Sequence, residues 1–273
     1  PKAYQFGDIC EFAHGHGAMV LADVAHINGL IAAGVHDSPF QKGARGADFV
    51  SMTTHKTFRG PRAALLFAKK YMPDWIGDQI QVFPKNAKGD YVSGLSEAID
   101  RALFPGGFGG PHFNKIAAIG QACLEILGED SHPQGDDFKT YSEKVIQTCK
   151  IMENTLAGRG LEIISPSQNH LCLVKLPDEM DADGKHKFDS LKIQNELEKI
   201  GIICNRNVIP FDKRSPWRPS GLRLGTPALV SRGLDESMAK ELGEIIADCI
   251  FGNGSIESLS DRSKDMVNRL LRF

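Results

Sequence analysis

The sequence predicts an α/β protein, and three observations carry the prediction. Two short apolar segments, 17–23 and 47–52, each run straight into polar, chemistry-bearing residues. Helical periodicity separates such segments and returns over 138–156 and 235–272, and glycine and proline punctuate the joins. Alternating strands and helices of this kind build a layered α/β domain.

With 273 residues and 41% hydrophobic content, the chain can form one large or two ordinary domains. A net charge of −2 gives neither a nucleic-acid footprint nor a basic face for a membrane, and no apolar run approaches bilayer-crossing length. The expected setting is soluble and cytoplasmic. Cys10, Cys123, Cys149, Cys172, Cys204 and Cys249 form no CxxC pair and read as free thiols of a reducing compartment. The nine histidines show no ligand spacing, so no metal site is predicted.

The first element is a helix with Phe6, Ile9 and Phe12 or Ala13 on its apolar side, stopped by Gly15 and Gly17. A strand over 17–23 ends in Asp23, and His26 follows three residues later. After a helix-like IAAG, the segment 36–48 is a surface loop with a turn at Gly43 to Gly46. A second strand, 47–52, enters Thr53-Thr54-His55-Lys56-Thr57, and Gly60-Pro61 turns the chain into a third strand, 63–68. Parallel sheets bind ligands beyond the carboxyl ends of their strands, where Asp23 and Lys56 both fall.

A lysine held at a strand end loses solvation, which favours the neutral amine that attacks a carbonyl, so Lys56 reads as a Schiff-base lysine. Taken alone, the same stretch is equally compatible with a solvated surface lysine. Asp23 adds weight to the first reading. Pyridoxal phosphate needs a carboxylate to keep its pyridine nitrogen protonated and a lysine to carry it.

Residues 72–103 give no chemical signal, and 81–94 reads as a loop or short hairpin. FPGGFGGPHF, 104–113, has four glycines in five residues, a run that lets backbone N–H groups approach an anion, with a helix starting near His112 behind it. An apolar helix over 113–128 leads into a polar connector, which divides the chain into domains 1–128 and 129–273. The second domain reads as a helix from Phe138 to Leu156, strands LEIIS and HLCLVKL, a helix over 188–200, a strand GIIC, the short strand of SGLRLGTPA carrying Arg223, and two terminal helices capped by Asp235 and Ser255.

DVAHINGLIAAG followed by TTHKTFRGPR resembles serine hydroxymethyltransferases, pyridoxal phosphate enzymes of fold type I. The resemblance continues through FPGGFGGPHFNKIAA at 104–118, NHLCLVKL at 169–176 and GIICNRNVIPFDKRSPWRPSGLRLGTPALVSRG at 201–233. It implies the later half of a fold type I large domain, a mostly parallel sheet with helices, plus a smaller C-terminal α/β domain. It implies that Lys56 and Asp23 hold the cofactor, that His26 lies on the ring's phenolic side, that Thr53 and His55 shape the lysine's surroundings, and that Arg62 lies near the cofactor. By the same resemblance, Gly110 reaches a neighbouring subunit's cofactor phosphate through its backbone, although Phe108 departs from the expected polar residue. Arg223 would take the substrate carboxylate, and Asn207, Ser215, Pro216 and Trp217 would contact tetrahydrofolate, with Trp217 in place of a phenylalanine. A homodimer or tetramer with shared sites is implied.

The chain begins at Pro1, so the family's N-terminal arm and the first half of its large domain, with the ring-stacking aromatic and part of the phosphate cup, are expected to lie outside this sequence. Weak cofactor binding and little turnover by this chain alone are the corresponding expectations. Two other readings stand beside this one: another fold type I enzyme, such as a threonine aldolase or aminotransferase, and an inactive scaffold.

Overall fold

A computed structural model describes residues 2–69, 99–130 and 137–270. The chain divides into two compact units, Tyr4–Asp130 and Pro1–Ala3 with Ser131–Phe273. The expected loop or hairpin at 81–94 lies outside the described residues.

In the unit Tyr4–Asp130, helix α1 (Phe6–Gly15) is followed by strand β1 (Leu21–Asp23), helix α2 (Asn28–Ala32), strands β2 (Phe49–Thr53) and β3 (Ala64–Ala68), and helix α3 (Phe113–Leu127). The sheet order is β1-β2-β3, with β1 parallel to β2 and β3 antiparallel to it. The first strand is shorter than the apolar run 17–23 predicts. Gly17 adopts φ +71° in the exit from α1, and the amide of Ala18 still donates to Ala13, so the start of the run serves helix termination instead of the sheet. The buried side of α1 also differs from the expected one. Phe6 and Cys10, four residues apart, face inward, whereas Ile9 and Phe12 are exposed.

The loop around Gly43 does more than cross the surface. Arg45 reaches back to Asp8 and Glu11 of α1 at 2.8 Å each, and a Cβ at Gly46 would stand 2.1 Å from the Gln41 carbonyl oxygen, so only glycine fits this fold of the chain. Behind the loop, Asp48 is buried. Its carboxylate accepts from the Val20 amide at 2.8 Å, from His14 Nε2 at 2.8 Å and from Lys69 Nζ at 3.1 Å. Burial alone would raise this carboxyl, but these donors prevail and hold it below the ordinary carboxylate range.

In the other unit, helix α4 (Phe138–Gly158) leads to β4 (Glu162–Ile163), β5 (Leu171–Lys175), α5 (Ser190–Lys199), β6 (Asn205–Asn207), β7 (Gly221–Gly225), a short α6 (Pro227–Val230), α7 (Glu236–Phe251) and α8 (Ile256–Leu270). The sheet order is β4-β5-β7-β6, antiparallel throughout. GIIC is not a strand. Residue pairing with β7 starts one residue later, at Asn205↔Arg223, and Ile203 is left almost fully exposed.

The core is α4 against α7. Val145, Met152 and Leu156 of α4 and Leu242, Ile245 and Ile246 of α7 are all buried, and Gly243 lets the helices close in, since a Cβ there would lie 2.9 Å from Thr155 Cβ. The predicted cap of α7 is present, with Asp235 accepting from the Met238 amide at 2.8 Å, and Ser255 accepts from Ser258 N at 3.2 Å before α8. Asp248 ties the helices together by accepting from Arg159 at 2.5 Å and Arg262 at 2.7 Å. All six cysteines are free, five of them buried and Cys123 half-buried. Among the described residues, no helix is long and apolar enough to cross a membrane.

Candidate active site

The register of the first sheet places the predicted residues. Asp23 is the last residue of β1 and pairs with Ser51 of β2; because the strands are parallel, Asp23 and the turn that follows Thr53 emerge at the same end of the sheet. Asp23 is exposed, and its Oδ1 accepts from the Ala25 amide at 3.0 Å in an Asx arrangement. Lys56 sits half-buried in the turn, and among the described residues its Nζ has neither an ion-pair nor a hydrogen-bond partner.

The turn is held from several sides. Thr54 Oγ1 donates within reach of the Pro61 carbonyl, 2.5 Å away, and the Gly60 amide donates to the Thr54 carbonyl at 2.6 Å, closing the loop on itself. Thr53 Oγ1 donates to the Ala25 carbonyl at 2.9 Å, fastening β2 to the chain just after Asp23. Arg59, in the left-handed region at φ +65°, places its guanidinium 3.2 Å from Glu125 of α3. His26 is half-buried and lends its carbonyl to the Thr57 hydroxyl at 2.9 Å. His55 is half-buried as well, and its Nδ1 is buried with no hydrogen-bond partner among the described residues. Arg62 is exposed past the turn.

These residues fit pyridoxal phosphate: a carboxylate and an unpaired lysine emerge at one sheet end, and a buried ring nitrogen beside the lysine lacks the partner it ordinarily requires. Gly110 lies in the exposed stretch before α3, whose N-cap position is His112. A Cβ at Gly110 would meet nothing within 4 Å, so no contact within the chain demands glycine there.

The remaining candidates belong to the unit Ser131–Phe273. Arg223 lies mid-strand in β7, between Leu173 of β5 and Asn205 of β6, half-buried, and among the described residues its guanidinium has no ion-pair partner. That is unusual for a half-buried arginine and leaves its planar fork available to a carboxylate. Asn207, at the end of β6, donates to the Val208 carbonyl at 2.7 Å. Ser215, Pro216 and Trp217 are exposed on one loop; Ser215 Oγ accepts from the Trp217 amide at 3.3 Å, and Arg206 donates to the Trp217 carbonyl at 2.8 Å.

Sequence reasoning missed the residues that support these. Asp212 organises the 208–220 loop by accepting from the amides of Ile209, Arg214 and Ser220 and from the Ser220 hydroxyl. Burial pushes its carboxyl up, but the Ser220 hydroxyl and the amides outweigh that and hold it low. The signal was an Asp after Pro210-Phe211, a turn-forming combination. Asn28 and Gly29 were also missed; they join α2 to Thr57 of the lysine turn and left no trace in the sequence beyond lying near His26.

An α/β unit with a lysine turn and a carboxylate at the same sheet end is the arrangement of fold type I enzymes. The chain matches the family model described as serine hydroxymethyltransferase over residues 1–246. It belongs to the serine hydroxymethyltransferase family. Among curated relatives, serine hydroxymethyltransferase of Mycoplasma capricolum subsp. capricolum is 38% identical over 273 residues, covering 100% of this chain and 56% of the relative. That of Mycoplasma mycoides subsp. mycoides SC is 37% identical with the same coverage, 100% and 56%. The chain thus spans a little over half the length of these relatives.

Proposed function

We propose that this chain carries the cofactor-attachment and substrate-carboxylate residues of a serine hydroxymethyltransferase, which interconverts serine plus tetrahydrofolate with glycine plus 5,10-methylenetetrahydrofolate. The observation that carries the reading is the parallel pairing of β1 with β2, which brings Asp23 and the Lys56 turn to one end of the sheet. When bound, pyridoxal phosphate supplies an electron sink beside the α-carbon of the amino acid. Lys56 would hold its carbonyl carbon, Asp23 its pyridine nitrogen, and His26 the phenolic side of the ring. Asp23 favours a protonated ring nitrogen by placing a negative charge against it. Thr53 fixes the strand end, His55 offers its unsatisfied Nδ1 beside the lysine, Arg62 would lie near the cofactor, and the backbone of Gly110 would reach the cofactor phosphate of a neighbouring subunit.

Arg223 would orient the amino acid by its carboxylate, and Asn207, Ser215, Pro216 and Trp217 would form the folate-facing surface, where the exposed indole gives a pterin or its linker an apolar plate to stack on. The division at 1–128 and 129–273 corresponds in this reading to the later part of a cofactor domain and a small domain. A homodimer or tetramer with shared sites, in a cytoplasmic setting consistent with free cysteines, completes the proposal.

The test is chemical. Borohydride treatment of the chain incubated with pyridoxal phosphate should add the cofactor's mass to the peptide containing Lys56. Stable labelling at another lysine instead would overturn the assignment.

A further inference from the structure

We propose that Asn28 is a positioning residue whose carboxamide clasps both ends of the Thr53–Thr57 turn and thereby sets where Lys56 is presented relative to Asp23. The inference rests on the cofactor reading above for its functional meaning, but its geometry stands alone. Asn28 opens α2, five residues beyond Asp23, and is 3% exposed. Its Nδ2 donates to the Thr53 carbonyl at 2.7 Å, and its Oδ1 lies 3.1 Å from the Thr57 hydroxyl. Lys56 lies between these two anchored residues.

The clasp has a defined polarity. The Thr53 carbonyl can only accept, so the amide must present its nitrogen there and its oxygen to Thr57; the reverse orientation would set two acceptors face to face. Thr57 is itself 2% exposed, and its Oγ1 accepts from the Gly29 amide at 3.1 Å while its single proton serves the His26 carbonyl or Asn28 Oδ1. Steric fit reinforces the polar contacts, because a Cβ on Gly29 would stand 2.1 Å from the Thr57 carbonyl oxygen. On the opposite side, the Val24 amide donates to Ser51 at 2.9 Å and the Asn28 amide to Val24 at 2.9 Å, so the segment from Asp23 to Gly29 forms a rigid brace between the two strand ends. A lysine with four rotatable bonds needs such a brace, since the backbone origin of its side chain is what the fold can fix.

The experiment has two readouts on the 273-residue chain. In the absence of cofactor, amide hydrogen exchange is compared between the unchanged chain, Asn28→Ala, and the near-isosteric Thr57→Val, with Thr57→Ser as the conservative rescue. Exchange at residues 54–60 should accelerate about tenfold in Asn28→Ala and Thr57→Val, the effect of one buried hydrogen bond, while the β2–β3 ladder keeps its protection and Thr57→Ser behaves as the unchanged chain. In the second readout, the yield of Lys56 labelling by pyridoxal phosphate and borohydride at fixed pH should fall in the same two variants and be restored in Thr57→Ser. Exchange at 54–60 indistinguishable from the unchanged chain, or acceleration spread evenly over Tyr4–Asp130, would overturn the clasp. Lys56 labelling identical in all four proteins would overturn its role in presenting the lysine. Should Lys56 of the unchanged chain take no label, the cofactor reading and with it the presentation role fail, while the exchange readout still decides whether the clasp exists.

Discussion

Helices α3 and α4 are both apolar enough to expect burial, yet they end in opposite states. Over Phe113–Leu127 only Ala122 is buried, and Phe113, Ile116, Leu124 and Leu127 stand exposed. Over Phe138–Gly158, buried residues recur at Phe138, Tyr141, Ser142, Val145, Thr148, Cys149, Met152, Glu153 and Leu156, an unbroken stripe at helical spacing. Composition says how much a helix should bury, and periodicity says on which side. α4 has one apolar stripe and satisfies it inside its own unit. α3 carries Asn114, Lys115, Gln121 and Glu125 among its apolar residues, and along its length only Ala122 is buried.

The contrast is sharpest in the response to truncation. Leu156→Ala, at a fully buried position, should destabilise the unit Ser131–Phe273 by about 2–5 kcal/mol, whereas Phe113→Ala, three-quarters exposed, should stay within about 0.5 kcal/mol. Urea unfolding at low protein concentration checks both, and comparable losses would break the comparison. A step smaller, Gly29→Ala should cost about 1–3 kcal/mol in the unit Tyr4–Asp130, because the new methyl cannot coexist with the Thr57 carbonyl without moving the brace. The loss should be accompanied by faster exchange at 54–60. Asp189→Ala removes the acceptor for the Leu191 and Lys192 amides at the start of α5 and should cost about 1 kcal/mol, read by thermal unfolding.

Acid should separate the units most gently. Burial pushes the Glu153 carboxyl above its ordinary 4.5, so Glu153 favours the fold when protonated; that contribution is full below 4.5 and is lost as the pH rises through the raised folded value. Asp48 has the opposite sign. Held below its ordinary 3.8, it contributes above that pH, and the contribution is lost as the pH falls through the depressed folded value. Acidification from neutrality to 4.5 should therefore strengthen the Glu153 unit through this group, and further acidification should weaken the Asp48 unit. Glu153→Gln should flatten the first change and Asp48→Asn the second, each followed by unfolding curves at fixed urea.

What could be read in advance followed from local chemistry. The ends of β1 and β2 were legible because apolar runs stop at Asp23 and at the threonines before Lys56, and the cap at Asp235 because a cap is a one-residue signal. The misreadings share a cause, which is that the deciding partner lies far along the chain. GIIC looks like a strand, but the edge of the second sheet is set by where Arg223 pairs, and an edge strand can be as polar as Asn205-Arg206-Asn207. In α1 the apolar spacing favoured Phe6, Ile9 and Phe12 or Ala13, yet of these the neighbours that cover the helix select only Phe6, together with Cys10. Asn28 could not be singled out, because its meaning depends on Thr53 and Thr57, which come 25 and 29 residues later.

Arg59 gives the lysine turn a property that an immunologist would notice. Its backbone is left-handed, a conformation that an arginine adopts only when its surroundings impose it, and here Glu125, 66 residues away in sequence, takes the side chain. Thr57 is likewise held by residues 28 and 31 positions upstream of it, counting from Gly29 and His26. A synthetic peptide of residues 53–63 lacks all of these restraints and relaxes to other shapes, so antibodies raised against it should bind the denatured chain on a blot and fail to capture the native protein from solution.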